Sequence, residues 1–464
     1  MPESALQAAS AEVAGTTCEP GRAGLASPFE PLSLSPHDQR RNFTLGVING
    51  ALFRVGDVFV DTQMVLTWFL SQLGTSNVLI GLVSPLRFGG SFLLQMLAAG
   101  YVERKPYKLP FYRLISIFRS ASLLVFAAIV ALLPAHSPWL PWAFFIMLTL
   151  FSLGAGLVGI PFMDVVGKVV PPRRRGAFFG QRMFWGGILA LGSSSLVGLL
   201  LAEPGGLHFP LNVAVLFFLA AVAMAVTAWS WAIVREPPSP VHGAADVRML
   251  DRVIAQFRRG LELLREDALF RRYVLVRLAL TGGSWAAPFY IVYAERELGI
   301  EASMLGFYLG ARTVASIGSN LIWGRVSDTL GNRKLLVLTN VVGVVPPLLA
   351  LLIGTANRSL PDASGWLGYA FATVFLIAGA FSSGSGIGIT NYLLDLAPDA
   401  QRPMYLAFAN TLFGLARFTE MASGLIVDGV GFGVLLAISA VFSAVALALS
   451  LVMAEPRLTV SASI

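Results

Sequence analysis

The chain has 464 residues, 56% hydrophobic and only 13% charged, with mean hydropathy +0.72. Soluble domains carry about 25% charged residues, so this composition excludes a large soluble domain and describes an integral membrane protein. The net charge of +7 does not mark a nucleic-acid binder, because the basic residues cluster in short loops between apolar stretches, as the positive-inside rule requires. The single Cys18 excludes an intrachain disulfide and a Cys-built metal site, and four His without close pairing argue against a His-built one. No metal and no cofactor is expected.

Residues 1–42 are polar and rich in Ala, Ser, Pro and Gly, with no apolar core like that of a signal peptide. They read as a disordered cytoplasmic tail. Apolar windows then follow at 43–72, 76–100, 110–134, 139–167, 177–202, 210–234, 270–295, 302–324, 333–356, 365–392, 403–427 and 431–454. Each is long enough for the roughly 20 residues that cross hydrocarbon. The fold class is therefore all-α and membrane-spanning, with twelve helices expected. They divide into a first six-helix bundle over 43–235, a linker over 236–269, a second bundle over 270–455 and a tail over 456–464.

The first window carries Arg54, Asp57 and Asp61. On one continuous helix these fall on a single stripe with Gly50 and Trp68. A charge at the bilayer centre costs roughly 2.5–3.5 kcal/mol, so the stripe must face protein or water. It is either a substrate or proton site or a salt-bridge cluster that locks helices together.

Loop charges give the orientation. Arg104, Lys105 and Lys108, then Lys168 and Arg173 to Arg175, then Arg325, Arg333 and Lys334, then Arg402 belong to one set of loops. The opposite loops are nearly bare, with Arg296 and Arg358 as exceptions. Both termini are thus expected in the cytoplasm. Trp229 and Trp231 before Arg235 fit interfacial anchoring. Within the linker, DVRMLDRVIAQFRRGLELLRED has helical apolar spacing and reads as an amphipathic helix on the cytoplasmic face.

The two halves repeat. Aligning Leu73-Gly74 with Leu298-Gly299 sets Arg87 opposite Arg312 without a gap. FSLGAG from Phe151 matches FSSGSG from Phe381, and Pro171 and Arg175 fall opposite Pro398 and Arg402. Parallel repeats of this size are a transporter signature, with the site at mid-membrane between them.

The loop after the eighth window reads Gly324-Arg-Val-Ser-Asp328-Thr-Leu-Gly331-Asn-Arg333-Lys334. It resembles the G-x-x-x-D-x-x-G-x-[RK]-[RK] loop of the major facilitator superfamily. The first-half copy, Gly100, Glu103, Arg104 and Lys105, is degenerate: its acid stands one place early and the second Gly is absent. The resemblance covers about 43–455 and implies alternating access about a cavity lined mainly by the first, fourth, seventh and tenth helices. An Asp328 that accepts from a helix N-terminus and pairs with Arg333 would latch the cytoplasmic side; positive-inside anchoring is the alternative.

Four groups are candidates for carrying a solute. Arg54, Asp57 and Asp61 have Ala279, Gly282 and Ala286 as repeat equivalents, so the scaffold does not demand them. Asp57 or Asp61 could change protonation as the cavity switches sides. Arg87 and Arg312 could grip a carboxylate, phosphate or nitrate; in position alone, without their Gly-rich signatures, the two resemble the paired arginines that the nitrate and nitrite porters of the superfamily place on these helices. Each could equally pair with Asp57, Asp61 or Glu420. Asn410, Arg417 and Glu420 share one face of the eleventh helix, where Arg417 and Glu420 can satisfy each other at i, i+3. Trp68, Trp185, Trp285, Phe289 and Tyr290 are the aromatic candidates, with Trp285 to Tyr290 favoured because Pro288 breaks the helix ladder.

No Walker A sequence and no nucleophile–base constellation is present, and the fifth helix lacks the Gly-Pro pair of drug/proton antiporters. The expectation is a bacterial-type inner-membrane secondary transporter, monomeric in its bilayer, moving a small solute. An anionic metabolite or inorganic anion is favoured, with protons as the coupling partner. Efflux of amphipathic drugs or lipids, and a non-transporting receptor or assembly partner on the same scaffold, are the rival readings.

Overall fold

The computed structural model describes residues 34–89, 105–202, 207–239, 249–359, 364–398 and 401–456. Among them, helices account for nearly all ordered backbone. The first helix, α1, runs Pro36–Phe59 and starts on Ser35, whose hydroxyl accepts the Asp38 N–H at 3.1 Å, with Pro36 in the position where a missing N–H costs nothing. The same hydroxyl, with Arg235 beyond it, holds the Asp38 carboxyl below its usual range. There follow α2 (Val65–Gln72), α3 (Asn77–Ser84, running into a π-turn over Pro85–Gly89), α4 (Leu109–Leu132), α5 (Trp139–Val169), α6 (Arg175–Leu201) and α7 (Leu211–Ala232).

The linker holds α8 (Met249–Glu266). The second half comprises α9 (Ala268–Gly283), a 3₁₀ turn over Ser284–Phe289, α10 (Tyr290–Leu298), α11 (Met304–Leu330), α12 (Asn332–Ser359), α13 (Ser364–Leu396), α14 (Arg402–Ala416), a 3₁₀ turn over Arg417–Glu420, α15 (Met421–Val430) and α16 (Phe432–Leu451). Every apolar window falls on one of these helices or on a broken pair, the described part of the second ending at Gly89. Among the described residues, eight helical runs are by themselves long and apolar enough to cross a bilayer, so the chain is a multi-pass membrane protein. The first, second, eighth and eleventh windows are not among the eight. These four carry Arg54, Asp57 and Asp61; Arg87; Arg312; and Arg417 and Glu420.

Three windows expected as single helices are broken. The first bends between Phe59 and Val65, the seventh at Ser284–Phe289 and the eleventh at Arg417–Glu420. Pro288 accounts for the second break, since it has no N–H to give the ladder. The first and seventh breaks fall at equivalent places in the repeat. So do the caps that follow: Gly74 (φ +66°) ends α2 and Gly299 (φ +65°) ends α10, both left-handed, a conformation that costs a side-chain-bearing residue more than Gly.

Helices α1 and α4–α7 pack together, as do α9, α11–α13 and α16. The first group centres on Phe69, Phe126, Phe144 and Phe217, with Phe126 and Phe217 rings 4.8 Å apart. The second centres on Tyr308, Phe371 and Phe375, with Tyr308 stacked on Phe375 at 4.8 Å. Two crossings join the groups, α6 on α11 and α3 on α15. Small residues permit both: a Cβ on Gly306 would stand 2.6 Å from the Gly198 Cα, and one on Gly424 would collide with the backbone of Asn77 and Val78. Amphipathic α8 lies against α9 and α14 through Leu263, which is buried, and Phe257, whose ring is 5.4 Å from that of Phe408.

The bundle has two ends. The near end carries Pro36, Leu451 and α8; the far end carries the turns at Gly74 and Gly299. At the near end Glu236 is buried and accepts the Lys108 N–H at 2.8 Å and the Leu109 N–H at 2.9 Å, capping α4, while Lys168 reaches it at 2.6 Å. Trp231, expected at the interface with water, is fully buried and packs on Phe162 at 4.9 Å; Trp229 is exposed as an anchor should be.

Candidate functional site

The break in the first window is built by Asp61. Its Oδ1 accepts the N–H groups of Gln63 and Met64, each at 3.0 Å. A short carboxylate side chain can offer these amides an alternative to the helix ladder. Asp61 therefore does not share a continuous helical stripe with Arg54 and Asp57, contrary to expectation. It sits at the bend between α1 and α2, where its second oxygen is free to face the other half.

Asp57 stays on α1 and collects two arginines. Arg54 Nη1 is 3.4 Å from Oδ2 and Arg87 Nη2 is 3.6 Å from Oδ1. Arg87 is buried, while Arg54 is exposed with its stem laid along Gly186 of α6. Trp68 is buried on α2 against Phe209 at 6.1 Å.

Asp61 instead pairs with Arg312 of α11, whose Nη1 also lies 3.1 Å from Gln63 Oε1. The symmetric arginines thus each take a carboxylate of the first window, one within the first half and one across the interface. Further toward the far end the halves are sealed by polar bonds. Glu295 accepts from Ser71 at 3.2 Å and from Gln72, Arg296 reaches Ser71 and Asn77 at 3.2 Å, and Asn77 donates to Asp428 at 2.6 Å. Arg417 also crosses between the halves, to Ser84 at 3.5 Å. Arg296 and Arg358, the two exceptions to the loop-charge pattern, are both engaged at the far end, Arg358 with Glu297 at 3.5 Å.

A cavity of about 370 Å³ lies at the interface, lined chiefly by α9, α12, α13 and the Arg417–Glu420 turn, with Gln63 and Ser84 contributed by the first half. Its charges are Arg277, Arg417 and Glu420, and Tyr290 is in its wall. Arg417 lies 3.4 Å from Glu420 and over Phe88 at 4.9 Å. Trp285 is half-buried beside the cavity wall, its ring 5.6 Å from that of Phe442, and Phe289 is fully buried. Asn410 is exposed and is not among the residues lining the inter-half cavity; Trp185 is likewise exposed.

The loop motif is placed as follows. Asp328 is exposed and forms no ion pair with Arg333 among the described residues. Gly331 turns at φ +89°, Arg333 gives its N–H to Glu455 at 3.0 Å and its guanidinium to the Leu451 carbonyl at 2.7 Å. Gly324 is in the body of α11 and Lys334 is exposed. Gly100, Glu103 and Arg104 lie outside the described residues.

Three arginines escaped the sequence reading: Arg119 on α4, Arg182 on α6 and Arg277 on α9. Each lies well inside a window apolar enough to pass as a span, which was the available signal. Among the described residues none of the three forms an ion pair. Arg277 stacks on Phe413 at 4.2 Å and Arg182 donates to Asn49 Oδ1 at 3.0 Å.

Residues 273–463 match the family model described as Major Facilitator Superfamily. No curated protein sequence matches the chain. Among solved structures, the chain is similar to a bacterial homologue of the iron transporter ferroportin in an inward-facing state, at 16% identity and TM-score 0.63, over 89% of this chain and 98% of that one. A D-xylose-proton symporter aligns at 16% identity and TM-score 0.63, covering 90% and 98%. The nucleoside transporter NupG aligns at 12% identity and TM-score 0.61, covering 90% and 98%. These likenesses are of fold.

Proposed function

We propose that this chain, a multi-pass membrane protein of the major facilitator type, moves a small anionic solute by alternating access and couples that movement to protons at Asp57 and Asp61. The observation that carries the reading is the ion pair between Asp61 and Arg312, which crosses from one half to the other. A pair in that position is made only when the far end is closed. Protonating Asp61 discharges one side of it and removes the charge-assisted bond, so proton occupancy biases which end is open. Asp57, between Arg54 and Arg87, offers a second carboxylate one step nearer the cytoplasmic end.

The solute class follows from charge. Asp57, Asp61 and Glu420 engage Arg54, Arg87, Arg312 and Arg417, and Arg119, Arg182 and Arg277 add three cations with no carboxylate of their own among the described residues. An interior with that excess of guanidinium favours an anion, and the planar fork suits carboxylate, nitrate or phosphate oxygens. The inter-half cavity of about 370 Å³ supports transport over a receptor with a blocked path.

The near end carries Lys168, Arg173, Arg174, Arg175, Arg325 and Arg333, which supports a cytoplasmic placement of that end and of both termini in a bacterial-type inner membrane. The far-end seal is then the outer gate, and the conformation faces inward. The test is reconstitution into liposomes with an imposed pH gradient and a panel of nitrate, sulfate, inorganic phosphate and short carboxylates. Gradient-driven accumulation of one of them is expected. Gradient-independent movement of hydrophobic cations alone would replace the reading with drug efflux.

A further inference from the structure

A second cavity, of about 290 Å³, lies wholly inside the first half, enclosed by the π-turn after α3 together with α1 and α4–α7. Three guanidiniums line it, Arg87, Arg119 and Arg182, and no carboxylate does. We infer that this cavity is a binding site for a small oxyanion, held by Arg119 with Arg87 and Arg182. The site is separate from the inter-half cavity, and Arg87 ties it to Asp57 of the coupling scheme, so the inference deepens the anion reading above.

The argument begins with Arg119. It is buried, and its Nε and Nη2 have no hydrogen-bond partner among the described residues. Its guanidinium lies over the Phe151 ring at 4.5 Å, and Arg87 lies over the same ring at 5.0 Å. Arg182 is likewise stacked, on Phe162 at 4.8 Å and Phe178 at 5.3 Å. Aromatic faces hold the planes of the guanidiniums and leave N–H edges for a ligand. Gly154 makes room for the arrangement, since a Cβ there would stand 2.8 Å from Arg119 Cδ.

Charge balance then requires an occupant. Arginine does not deprotonate in proteins. Asp57 reaches Arg87 from one side, which leaves Arg119 and Arg182 without a carboxylate partner among the described residues, in a low-dielectric interior where an unpaired charge is costly. An oxyanion supplies acceptors in the number and geometry the free edges need. Tyr112 adds a donor: its hydroxyl accepts from Asn49 Nδ2 at 3.3 Å, so its own hydrogen is available to the cavity.

The test uses the full chain in detergent, titrated with sulfate, inorganic phosphate and nitrate and followed by calorimetry and thermal unfolding. Saturable binding of at least one is expected, weakened tenfold or more in Arg119→Gln. Gly154→Val, which displaces the Arg119 stem without removing its charge, should weaken it similarly. Arg173→Gln, which removes one exposed cation, should leave it unchanged. Should Arg119→Gln fail to fold, Arg119→Lys keeps the charge, loses the fork and is expected to bind more weakly. Absence of saturable binding for all three anions overturns the inference, as does wild-type affinity in both Arg119→Gln and Gly154→Val. Because the readout is binding without a membrane, a failure of transport in liposomes leaves this result unaffected.

Discussion

Arg312 reaches across the interface to the carboxylate of Asp61, while Gln63 Oε1 holds the same guanidinium at 3.1 Å. The two residues are 251 apart in sequence, and each belongs to a window whose charge sets it apart from its neighbours. The pair is half-open to solvent space, its side chains 27% and 11% exposed. Removing one partner of a fully buried pair costs about 3–5 kcal/mol; discounted for this exposure, we expect about 1–2 kcal/mol. Asp61→Asn and Arg312→Gln should each lose stability by that amount, and the double variant should lose less than their sum. Additive losses in a thermal-unfolding cycle would show that the two do not interact.

Asp57 holds Arg87 and Arg54. Asp57→Asn should abolish gradient-driven accumulation and spare counterflow exchange, because exchange needs no net proton movement. Measuring both modes in the same liposomes separates a coupling defect from a folding defect. Normal accumulation in Asp57→Asn, with normal pH dependence, removes Asp57 from the coupling scheme.

The α6–α11 crossing depends on two glycines. A leucine at Gly306 would run into Ser194 and Gly198, and overpacking of this kind costs about 1–3 kcal/mol. Gly306→Leu should therefore prop the far end open. A cysteine introduced at Gln72 should then react faster with a membrane-impermeant maleimide added from the far side. Unchanged labelling would mean that the crossing is not part of the gate.

Glu236 caps α4 and pairs with Lys168 at the near end. Glu236→Ala leaves two amides without their acceptor and Lys168 with Asp164 alone, at a cost of about 2 kcal/mol. We expect reduced thermal stability with the solute preference unchanged. A changed preference would assign Glu236 to the solute path.

Much of the scaffold was legible before any coordinates. The constant offset that pairs Gly74 with Gly299 also pairs Arg87 with Arg312, and both glycines adopt the same left-handed cap. The breaks were less legible, because helical periodicity extrapolates through Val60–Met64 and only the Asp61 side chain, bonding its own local amides, ends the helix. Choice of partner was not legible at all: Arg87 and Arg312 had the same candidate acids, and tertiary packing decided that one takes Asp57 and the other Asp61. Loop-charge counting treated Arg296 and Arg358 as anomalies, and their carboxylate and amide partners at the far end explain them. Hydropathy concealed Arg119, Arg182 and Arg277, since a few cations hardly lower the mean of a long apolar window.

The central claim is that protonation of Asp61 governs closure of the two halves. The most direct measurement is pH-gradient-driven uptake of the best anion from the panel into liposomes, comparing wild type with Asp61→Asn over a range of pH. The account predicts uptake that rises as the outer pH falls in the wild type, and in the variant a flat profile with no accumulation but continued exchange. Accumulation in Asp61→Asn with the wild-type pH profile would contradict it.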